Sequence, residues 1–427
     1  MHLVVIGNSA AGVAAVETLR RLGGRDHRIT VVTAEPVPAY SRCLLPDLLA
    51  GKKTEAAIGL RPPDFYRRLG VELLAGVAAV ALRPQEKRVV LADGREVAYD
   101  RLLVATGAVP VLPEIPGVEV QGVFTLRTLD DARRLQAAMP GVSRAVVAGG
   151  GLVGLKAAQA LKQAGLEKVT VVVTSPRLLI RQLDDRAAAM VERELAGRGI
   201  DFIYSARISA FMPGPAGNLA AVQLEDGREL PCGLALVAKG VRPSVALVAE
   251  AGGRVGRGIL VDEYLRTSLP DVYAAGDCIQ VTDRLTGEQI NSALWTLAFE
   301  QGRHAAASML GLGRPYPAPL TRLNSARFGA VDVISVGRLE GEEVLAEYDA
   351  RQCTYRRLVF HGHRLAGFIL AGRVEGAGVY TALVKSGRPA REHTRALLAG
   401  WPGAVAARNL YGRGNWLMEM DSRTCQV

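Results

Sequence analysis

The chain alternates short apolar runs with glycine turns and amphipathic stretches, and one version of this pattern occurs twice. "LVVIGNSAAGVAAVETLRRLGGRDHRITVVTAEP" begins at Leu3, and "AVVAGGGLVGLKAAQALKQAGLEKVTVVVTSP" begins at Ala145. Each copy has an apolar run, a glycine turn, a stretch with apolar residues at helical spacing, and a second run rich in β-branched residues. The pattern predicts two strand–helix–strand units in an α/β fold.

The glycine turns of the two copies indicate what these units bind. The loop glycines are Gly7 and Gly12 in the first copy and Gly149, Gly151 and Gly154 in the second. Ser9 stands at the middle position of the first loop. Glycine allows the chain to turn sharply and its amides to approach a pyrophosphate at the helix N-terminus. A tight turn without a nucleotide also favours glycine, but two copies favour two Rossmann-like nucleotide-binding domains.

The residues at the end of each second strand differ between the copies. Glu35 lies 28 positions after Gly7, where a carboxylate can accept hydrogen bonds from ribose hydroxyls; a solvated surface carboxylate is the alternative. The second copy reads "VTSPR" from Val173 to Arg177, with no acid. This site does not repel a 2′-phosphate, and Arg177 could attract one. The sequence leaves NAD and NADP both open.

Composition narrows the classes of partner. The 427 residues include 52 Lys+Arg and 42 Asp+Glu, a net charge of +10 that favours anionic partners. The basic residues are scattered pairs without a run or an aromatic platform, which argues against nucleic acid. The five cysteines form no cluster, so we expect no metal site and no disulfide framework. This cysteine usage suits a protein of the reducing cytoplasm. No apolar stretch reaches the roughly 20 residues of a membrane helix, and no signal peptide is expected.

Three further segments, in this order, complete a resemblance to a known family. "LLVATGAVP" begins at Leu102, "VFTLRTLDDARRL" at Val123, and "YAAGDC" ends at Cys278. Together with the two glycine loops they resemble the two-dinucleotide-binding-domain flavoproteins of the pyridine nucleotide-disulfide oxidoreductase superfamily. The resemblance covers about residues 1–312. It implies FAD on the first unit and NAD(H) or NADP(H) on the second, so that a hydride can pass between two dinucleotides held face to face.

The resemblance also implies a domain division. The FAD-binding domain is expected at 1–112 and 242–312, the NAD(P)-binding domain at 113–241, and a small α+β interface domain with a tail at 313–427. That last part is similar to the C-terminal module of the rubredoxin-reductase and nitrite-reductase flavin-domain branch. Residues 355–372 alternate like a β-hairpin around His361 and His363, which have no third ligand nearby. The tail, with Trp401 and Trp416, could dock a partner or pack on the body.

The resemblance assigns cofactor-binding candidates residue by residue. For FAD these are Gly7, Ser9, Ala10, Ala11, Gly12, Glu35, Arg42, Cys43, Ala79, Ala105, Thr106, Gly107, Gly276, Asp277, Trp295 and Thr296. For the pyridine nucleotide they are Gly149, Gly151, Leu152, Val153, Gly154, Thr174, Arg177 and Gly240. Asp277 is expected at the ribityl or pyrophosphate region. A helix over 291–310, capped by Asn291 or Ser292, is expected to direct its first turn at the flavin, although Trp295 could equally be core.

Cys43, in "YSRCLLP", leaves two chemistries open. Single-cysteine CoA-disulfide reductases and NADH oxidases have a similar stretch, but Leu44 stands where those enzymes usually have glycine. The rubredoxin- and nitrite-reductase branch has the same frame without a required cysteine. Arg42 is expected to lower the pKa of the Cys43 thiol, which would suit a redox role. A small packing contact to the flavin is the alternative.

Two further positions resemble the carrier-reducing branch with both charges reversed. Asp47 and Lys156 stand where related reductases have a lysine and a glutamate, so we expect an ion pair beside the flavin; two unrelated surface charges are the alternative. The sequence therefore favours an FAD-dependent NAD(P)H oxidoreductase with an acidic iron–sulfur carrier or a partner subunit, as a homodimer or in a larger complex. The alternative is a thiol reductase that uses Cys43, and a non-enzymatic flavin scaffold also stays open.

Overall fold

A computed structural model describes residues 1–400 of the chain, so the hypothesis about the tail tryptophans lies outside the described residues. The chain divides into two compact units. The first unit contains Met1–Leu178 and Leu195–Thr321, and the second contains Leu179–Glu194 and, within the described residues, 322–400. The α/β prediction is confirmed. The boundary between the FAD and nucleotide domains, which falls within the first unit, stays a prediction.

The first unit begins with the elements expected for the first glycine loop. They are β1 (His2–Ile6), α1 (Ala10–Gly23), β2 (Arg28–Thr33), α2 (Leu45–Leu49), α3 (Phe65–Leu69), β3 (Glu72–Ala75), β4 (Ala79–Arg83), β5 (Arg88–Leu91), β6 (Glu96–Ala98), β7 (Arg101–Val104) and β8 (Ala108–Pro110). Single turns of 3-10 helix cover Arg42–Leu44 and Ala56–Ile58.

The second copy of the pattern and the return to the first sheet follow in the chain. The elements are β9 (Val123–Phe124), α4 (Leu129–Ala138), β10 (Arg144–Ala148), α5 (Leu152–Gln163), β11 (Lys168–Val172), α6 (Asp185–Ala196), β12 (Ile200–Ile203), β13 (Ile208–Pro213), β14 (Leu219–Leu224), β15 (Glu229–Pro231), β16 (Leu234–Val237), β17 (Val241–Pro243), α7 (Ala246–Glu250), β18 (Ile259–Leu260), β19 (Val272–Ala274), β20 (Ile279–Thr282), β21 (Gln289–Ile290) and α8 (Trp295–Met309).

Two five-stranded parallel sheets organise the first unit. One has the order β19-β7-β1-β2-β3 and the other the order β12-β11-β10-β16-β9, so each glycine loop follows a central strand. Their strands are almost continuous apolar runs because both faces are covered. Val4 pairs with Thr30 on one side and Leu102 on the other, and all three are buried. The smaller sheets β4-β5-β6, β13-β14-β15 and β18-β20-β21 and the ribbon β8-β17 complete the unit.

The second unit contains an antiparallel sheet of order β22-β23-β26-β25-β24. Its elements are β22 (Leu323–Phe328), β23 (Val331–Gly337), β24 (Glu343–Asp349), β25 (Thr354–His361), β26 (Arg364–Gly372), α9 (Ala377–Ser386), a 3-10 turn (Arg391–His393) and α10 (Thr394–Leu398). The predicted hairpin is confirmed, since His361 pairs with Arg364 across the turn. No cluster of metal-ligating side chains occurs within residues 1–400, and no helix there is long and apolar enough to cross a membrane.

Candidate functional site

The first glycine loop forms a tight cradle at the carboxyl end of β1. Gly7 has a φ of 115°, and a Cβ there would overlap the carbonyl oxygen of Ala105. A Cβ at Gly12 would overlap the carbonyl oxygen of Gly7. Ser9, at the N-cap of α1, makes no side-chain cap hydrogen bond, and the first turn of the helix has no acidic residue. The first-turn amides and the positive end of the helix dipole therefore fit a pyrophosphate.

The carboxylate of Glu35 is already held by two donors. The Tyr40 hydroxyl donates to Oε2 at 2.6 Å, and Nη2 of Arg42 donates to Oε1 at 2.5 Å. The second guanidinium nitrogen of Arg42 donates to the carbonyl oxygen of Arg127 at 2.7 Å. A carboxylate oxygen can accept a further hydrogen bond, so Glu35 remains suited to ribose hydroxyls. The two donors hold the carboxylate in one orientation.

Asp277 forms an ion pair inside the site. Nη2 of Arg127 lies 2.7 Å from Oδ2 of Asp277, and the two side chains are 21% and 14% exposed. The preceding turn is held by Gln301, whose buried amide oxygen accepts a hydrogen bond of 2.9 Å from the backbone of Gly276. The same guanidinium lies 3.7 Å from the place where a Cβ of Gly107 would stand. One arginine therefore brings two separate predicted segments together.

The other FAD candidates are distributed around this cradle. Ala105 is buried at the end of β7, and the Thr106 hydroxyl donates to the carbonyl oxygen of Ser244 at 2.8 Å. Ala79 is half-buried as the first residue of β4. The hydrogen bond of Thr106 is made to the protein's own backbone, so the roles of these residues in FAD binding stay predictions.

The helix predicted over 291–310 begins later than expected. It spans Trp295–Met309 with Leu294 at the N-cap, so the prediction that Asn291 or Ser292 caps it is wrong. The Asn291 amide donates to a backbone carbonyl oxygen of β20, and the Ser292 hydroxyl donates to that of Thr321, which keeps both side chains from the helix end. Trp295 is half-buried against the core, and the next residue, Thr296, is exposed.

The second glycine loop repeats the geometry of the first. A Cβ at Gly149 would lie 2.4 Å from the carbonyl oxygen of Ala238, and one at Gly154 would overlap the carbonyl oxygen of Gly149. The N-cap of α5 is Gly151, where a Cβ would meet nothing within 4 Å, and the first turn has no acidic residue. Leu152 and Val153 begin the helix, the latter 52% exposed. This open helix end fits the phosphates of a second dinucleotide.

The remaining nucleotide candidates lie at the same edge of the second sheet. Thr174 is exposed just beyond β11, and Arg177 is half-buried three residues later. Gly240 has a φ of 103° before β17, and its carbonyl oxygen accepts a hydrogen bond of 2.9 Å from Val111. The structure thus brings all three to the carboxyl edge of the sheet.

The surroundings of Cys43 differ from those expected. Its side chain keeps solvent access, yet the surrounding protein partly desolvates the thiol and raises its pKa. The carboxylate of Asp277 raises the pKa further, and the Arg127 guanidinium lowers it. The expectation that Arg42 lowers the pKa is wrong, because that guanidinium is turned to Glu35. The neutral thiol is the favoured form.

Asp47 and Lys156 lie on neighbouring helices. Asp47 lies in α2, four residues after Cys43, and Lys156 lies in the second turn of α5. These two helices contact each other. The helix packing is consistent with the proposed ion pair, and the pair itself stays a prediction.

Sequence reasoning did not single out three residues that organise the site. Arg127 joins Asp277 to Arg42, Tyr40 holds Glu35 and also accepts a hydrogen bond of 2.8 Å from a backbone amide of α4, and Gln301 fixes the turn before Asp277. Arg127 lies within the segment quoted for the resemblance. The signal available in the sequence was a single basic residue directly before the residue that caps α4.

Comparisons with known proteins agree with this geometry. Residues 1–302 match the family model described as pyridine nucleotide-disulphide oxidoreductase. Members of that family are oxidoreductases, and their cofactors are FAD and a pyridine nucleotide. The NADH-dependent phenylglyoxylate dehydrogenase subunit epsilon of Aromatoleum evansii is 36% identical over 84% of this chain and 85% of its own length. The chain spans about half the length of two other curated relatives, since it covers 47% of each.

Two solved structures share the fold over most of the chain. The covalent putidaredoxin reductase–putidaredoxin complex gives a TM-score of 0.85 at 27% identity, over 96% of this chain and 98% of the other. A NAD-dependent persulfide reductase from A. fulgidus gives a TM-score of 0.83 at 28% identity, over 92% of this chain and 78% of the other. These two neighbours represent the two chemistries that the sequence left open.

Proposed function

This chain belongs to the pyridine nucleotide-disulphide oxidoreductase family, and from that premise we propose that it transfers electrons between NAD(P)H and an iron–sulfur protein or partner subunit. The first glycine loop, with Glu35 and Asp277, holds FAD, and the second glycine loop holds the nucleotide. FAD supplies the step from two-electron to one-electron transfer, which a nicotinamide alone does not make. In this proposal the electron acceptor is an iron–sulfur protein or a partner subunit.

The environment of Cys43 is the observation that supports electron transfer to a protein over thiol exchange. Thiol exchange requires a thiolate, which proteins stabilise with nearby cations or a helix N-terminus. Here desolvation and Asp277 raise the pKa of the thiol, and the expected cation, Arg42, is bound to Glu35. In this proposal Cys43 is therefore a poor nucleophile at neutral pH and takes no part in the reaction.

Two other features support a protein acceptor. Putidaredoxin is bound to the reductase in one structural neighbour, and the relative from Aromatoleum evansii is a subunit of a larger enzyme. The net charge of +10 would steer an acidic carrier toward this chain, with an association rate that falls as salt rises.

A thiol reductase is the second candidate, favoured by the solvent access of Cys43 and by the persulfide reductase neighbour. In that reaction the Cys43 thiolate attacks one sulfur of a CoA disulfide, or the outer sulfur of a persulfide, and the substrate S–S bond breaks with release of a thiolate. Two electrons from NAD(P)H, with protons, then reduce the resulting mixed disulfide or cysteine persulfide, which releases CoA or hydrogen sulfide and restores the Cys43 thiol.

Substitution of Cys43 separates the candidates. The FAD-loaded enzyme, Cys43→Ser and the matched control Cys353→Ser, the other exposed cysteine in residues 1–400, are assayed with NAD(P)H. The acceptors are an acidic ferredoxin, a rubredoxin and CoA disulfide. We expect Cys43→Ser to reduce the iron–sulfur proteins within about twofold of the parent rate, because no thiol takes part. Loss of all turnover in Cys43→Ser alone, together with CoA disulfide reduction by the parent, would reverse the assignment.

A further inference from the structure

An open cavity of about 190 Å³ lies near the amino-terminal edge of the second parallel sheet. Its base is one face of β10, β11 and β12, and β15 contributes a wall. Val146, Thr170 and Asp201 share that face, because Thr170 is the register partner of the other two on the neighbouring strands. The glycine loop follows the opposite, carboxyl end of β10, about 16 Å from the start of the strand. The cavity therefore lies away from the edge that suits a dinucleotide.

The inner surface of the cavity is largely apolar. Val146 is 2% exposed, and Ile203 and Leu230 are half-buried against the same core. The small sheet β13-β14-β15 covers the rest of this face, but β15 ends at Pro231, just before the chain enters β16. The cover therefore stops short of the edge. An apolar cavity of about 150 Å³ is large enough for benzene, so a six-membered ring fits here.

The polar groups that line the cavity are mainly hydrogen-bond donors. Thr170 is 6% exposed, and within residues 1–400 its hydroxyl has no hydrogen-bond partner. Arg144 is exposed at the rim, and no carboxylate of that part of the chain pairs with it. The Lys168 ammonium lies 3.5 Å from Oδ2 of Asp201. Two cations and one carboxylate give the rim a net charge of +1, and a buried hydroxyl without a partner is a costly arrangement that a bound acceptor relieves.

We propose that this cavity binds a small monocarboxylate with an apolar ring, of the size of benzoate. The Arg144 guanidinium donates two parallel hydrogen bonds to the carboxylate, and the Thr170 hydroxyl donates a third. The ring packs on Val146 and Leu230, which removes apolar surface from water. One negative charge matches the net charge of the rim, whereas a phosphate dianion would also face the carboxylate of Asp201. The site is independent of the proposed electron transfer and of both dinucleotides.

Equilibrium binding tests the site without turnover. The FAD-loaded protein is titrated calorimetrically with benzoate, with its neutral analogue benzamide, and with acetate, which has the carboxylate without the ring. The variants are Arg144→Met and Thr170→Val. The matched control is Arg228→Met, which removes an exposed arginine that precedes β15 and does not line the cavity. Benzoate is also titrated into protein saturated with NAD⁺ or NADP⁺, and urea unfolding of each variant reports any loss of folding.

We expect benzoate to bind at least about tenfold tighter than benzamide or acetate, because only benzoate supplies both the charge and the ring. Arg144→Met should weaken benzoate binding by about tenfold or more and Thr170→Val by about threefold. Arg228→Met and a saturating dinucleotide should each change it by less than about twofold. A benzoate dissociation constant weaker than about 10 mM, or equal benzoate affinity of the parent and Arg144→Met, would overturn the proposal. Displacement of benzoate by a dinucleotide would also overturn it, since that result places benzoate at the opposite edge of the sheet.

Discussion

The ion pair between Arg127 and Asp277 gives a quantitative test of the FAD site. Its two side chains are 21% and 14% exposed, and the Nε of Arg127 is buried without a hydrogen-bond partner in residues 1–400. The carbonyl oxygen of Arg127 also accepts from Arg42, which in turn binds Glu35. Arg127→Met therefore removes the charge that balances Asp277 while it keeps most of the side-chain volume.

The expected size of the effect follows from the exposure of the pair. Unit charges about 4 Å apart attract by about 4 kcal/mol at an effective dielectric constant of about 20. Desolvation of both groups offsets part of this attraction. Loss of one partner costs about 3–5 kcal/mol for a fully buried pair and about 0–1 kcal/mol for an exposed pair. Because Arg127 and Asp277 lie between these limits, we expect Arg127→Met to lower the free energy of unfolding of the apoprotein by about 2 kcal/mol.

A double-mutant cycle isolates the pair. Arg127→Met, Asp277→Asn and the double variant are compared by urea unfolding of the apoprotein and by FAD dissociation constants, and we expect an interaction energy of about 1–2 kcal/mol. The matched control is the pair of Arg133 and Glu55, which is 2.6 Å apart but 46% and 45% exposed, so its interaction energy should stay below about 0.5 kcal/mol. Equal interaction energies for the two pairs would refute the reasoning.

Three other changes have defined outcomes. Gly302→Ala should lower the free energy of unfolding by about 1–3 kcal/mol, because a Cβ there overlaps the backbone of α1. The control Gly378→Ala, in open space in α9, should leave that free energy unchanged or raise it, and similar urea midpoints for the two variants would contradict the prediction. Alkylation of Cys43 by iodoacetamide should still accelerate above pH ~8.5, since a raised pKa keeps the thiol protonated; a rate that levels off near neutral pH would show a thiolate. Charge reversal at Asp47 or Lys156 should slow flavin reduction by NAD(P)H in stopped-flow experiments, and the double reversal should restore it if the two side chains pair; additive effects would separate them.

The parts of the fold that depend on local pattern could be predicted from the sequence. The apolar runs at Leu3 and Ala145 became central strands because neighbouring parallel strands bury both of their faces. Gly7 and Gly149 form the tight turns because no Cβ fits at either position. The start of α8 could not be predicted, since Asn291 and Ser292 bond to backbone groups far along the chain instead of capping the helix.

The contacts of the candidate site depend on long-range geometry, which spacing does not encode. Arg42 is the neighbour of Cys43 in sequence, but its guanidinium binds Glu35 and a carbonyl oxygen 85 positions away. Arg127 follows β9 of one parallel sheet and Asp277 follows β19 of the other, 150 positions further along the chain, and only the fold brings their side chains together. The sequence therefore supported the cofactors, whereas the protonation state of Cys43 required the three-dimensional arrangement.

An anaerobic titration of the FAD-loaded protein with NADH and, in parallel, with NADPH tests the central claim most directly. The flavin absorbance should bleach with one equivalent of nucleotide, in the parent and in Cys43→Ser alike, without a long-wavelength charge-transfer band. Addition of oxidised ferredoxin should then restore the flavin absorbance in both. A charge-transfer band that is present in the parent and absent in Cys43→Ser, or a protein that binds no flavin, would contradict the account.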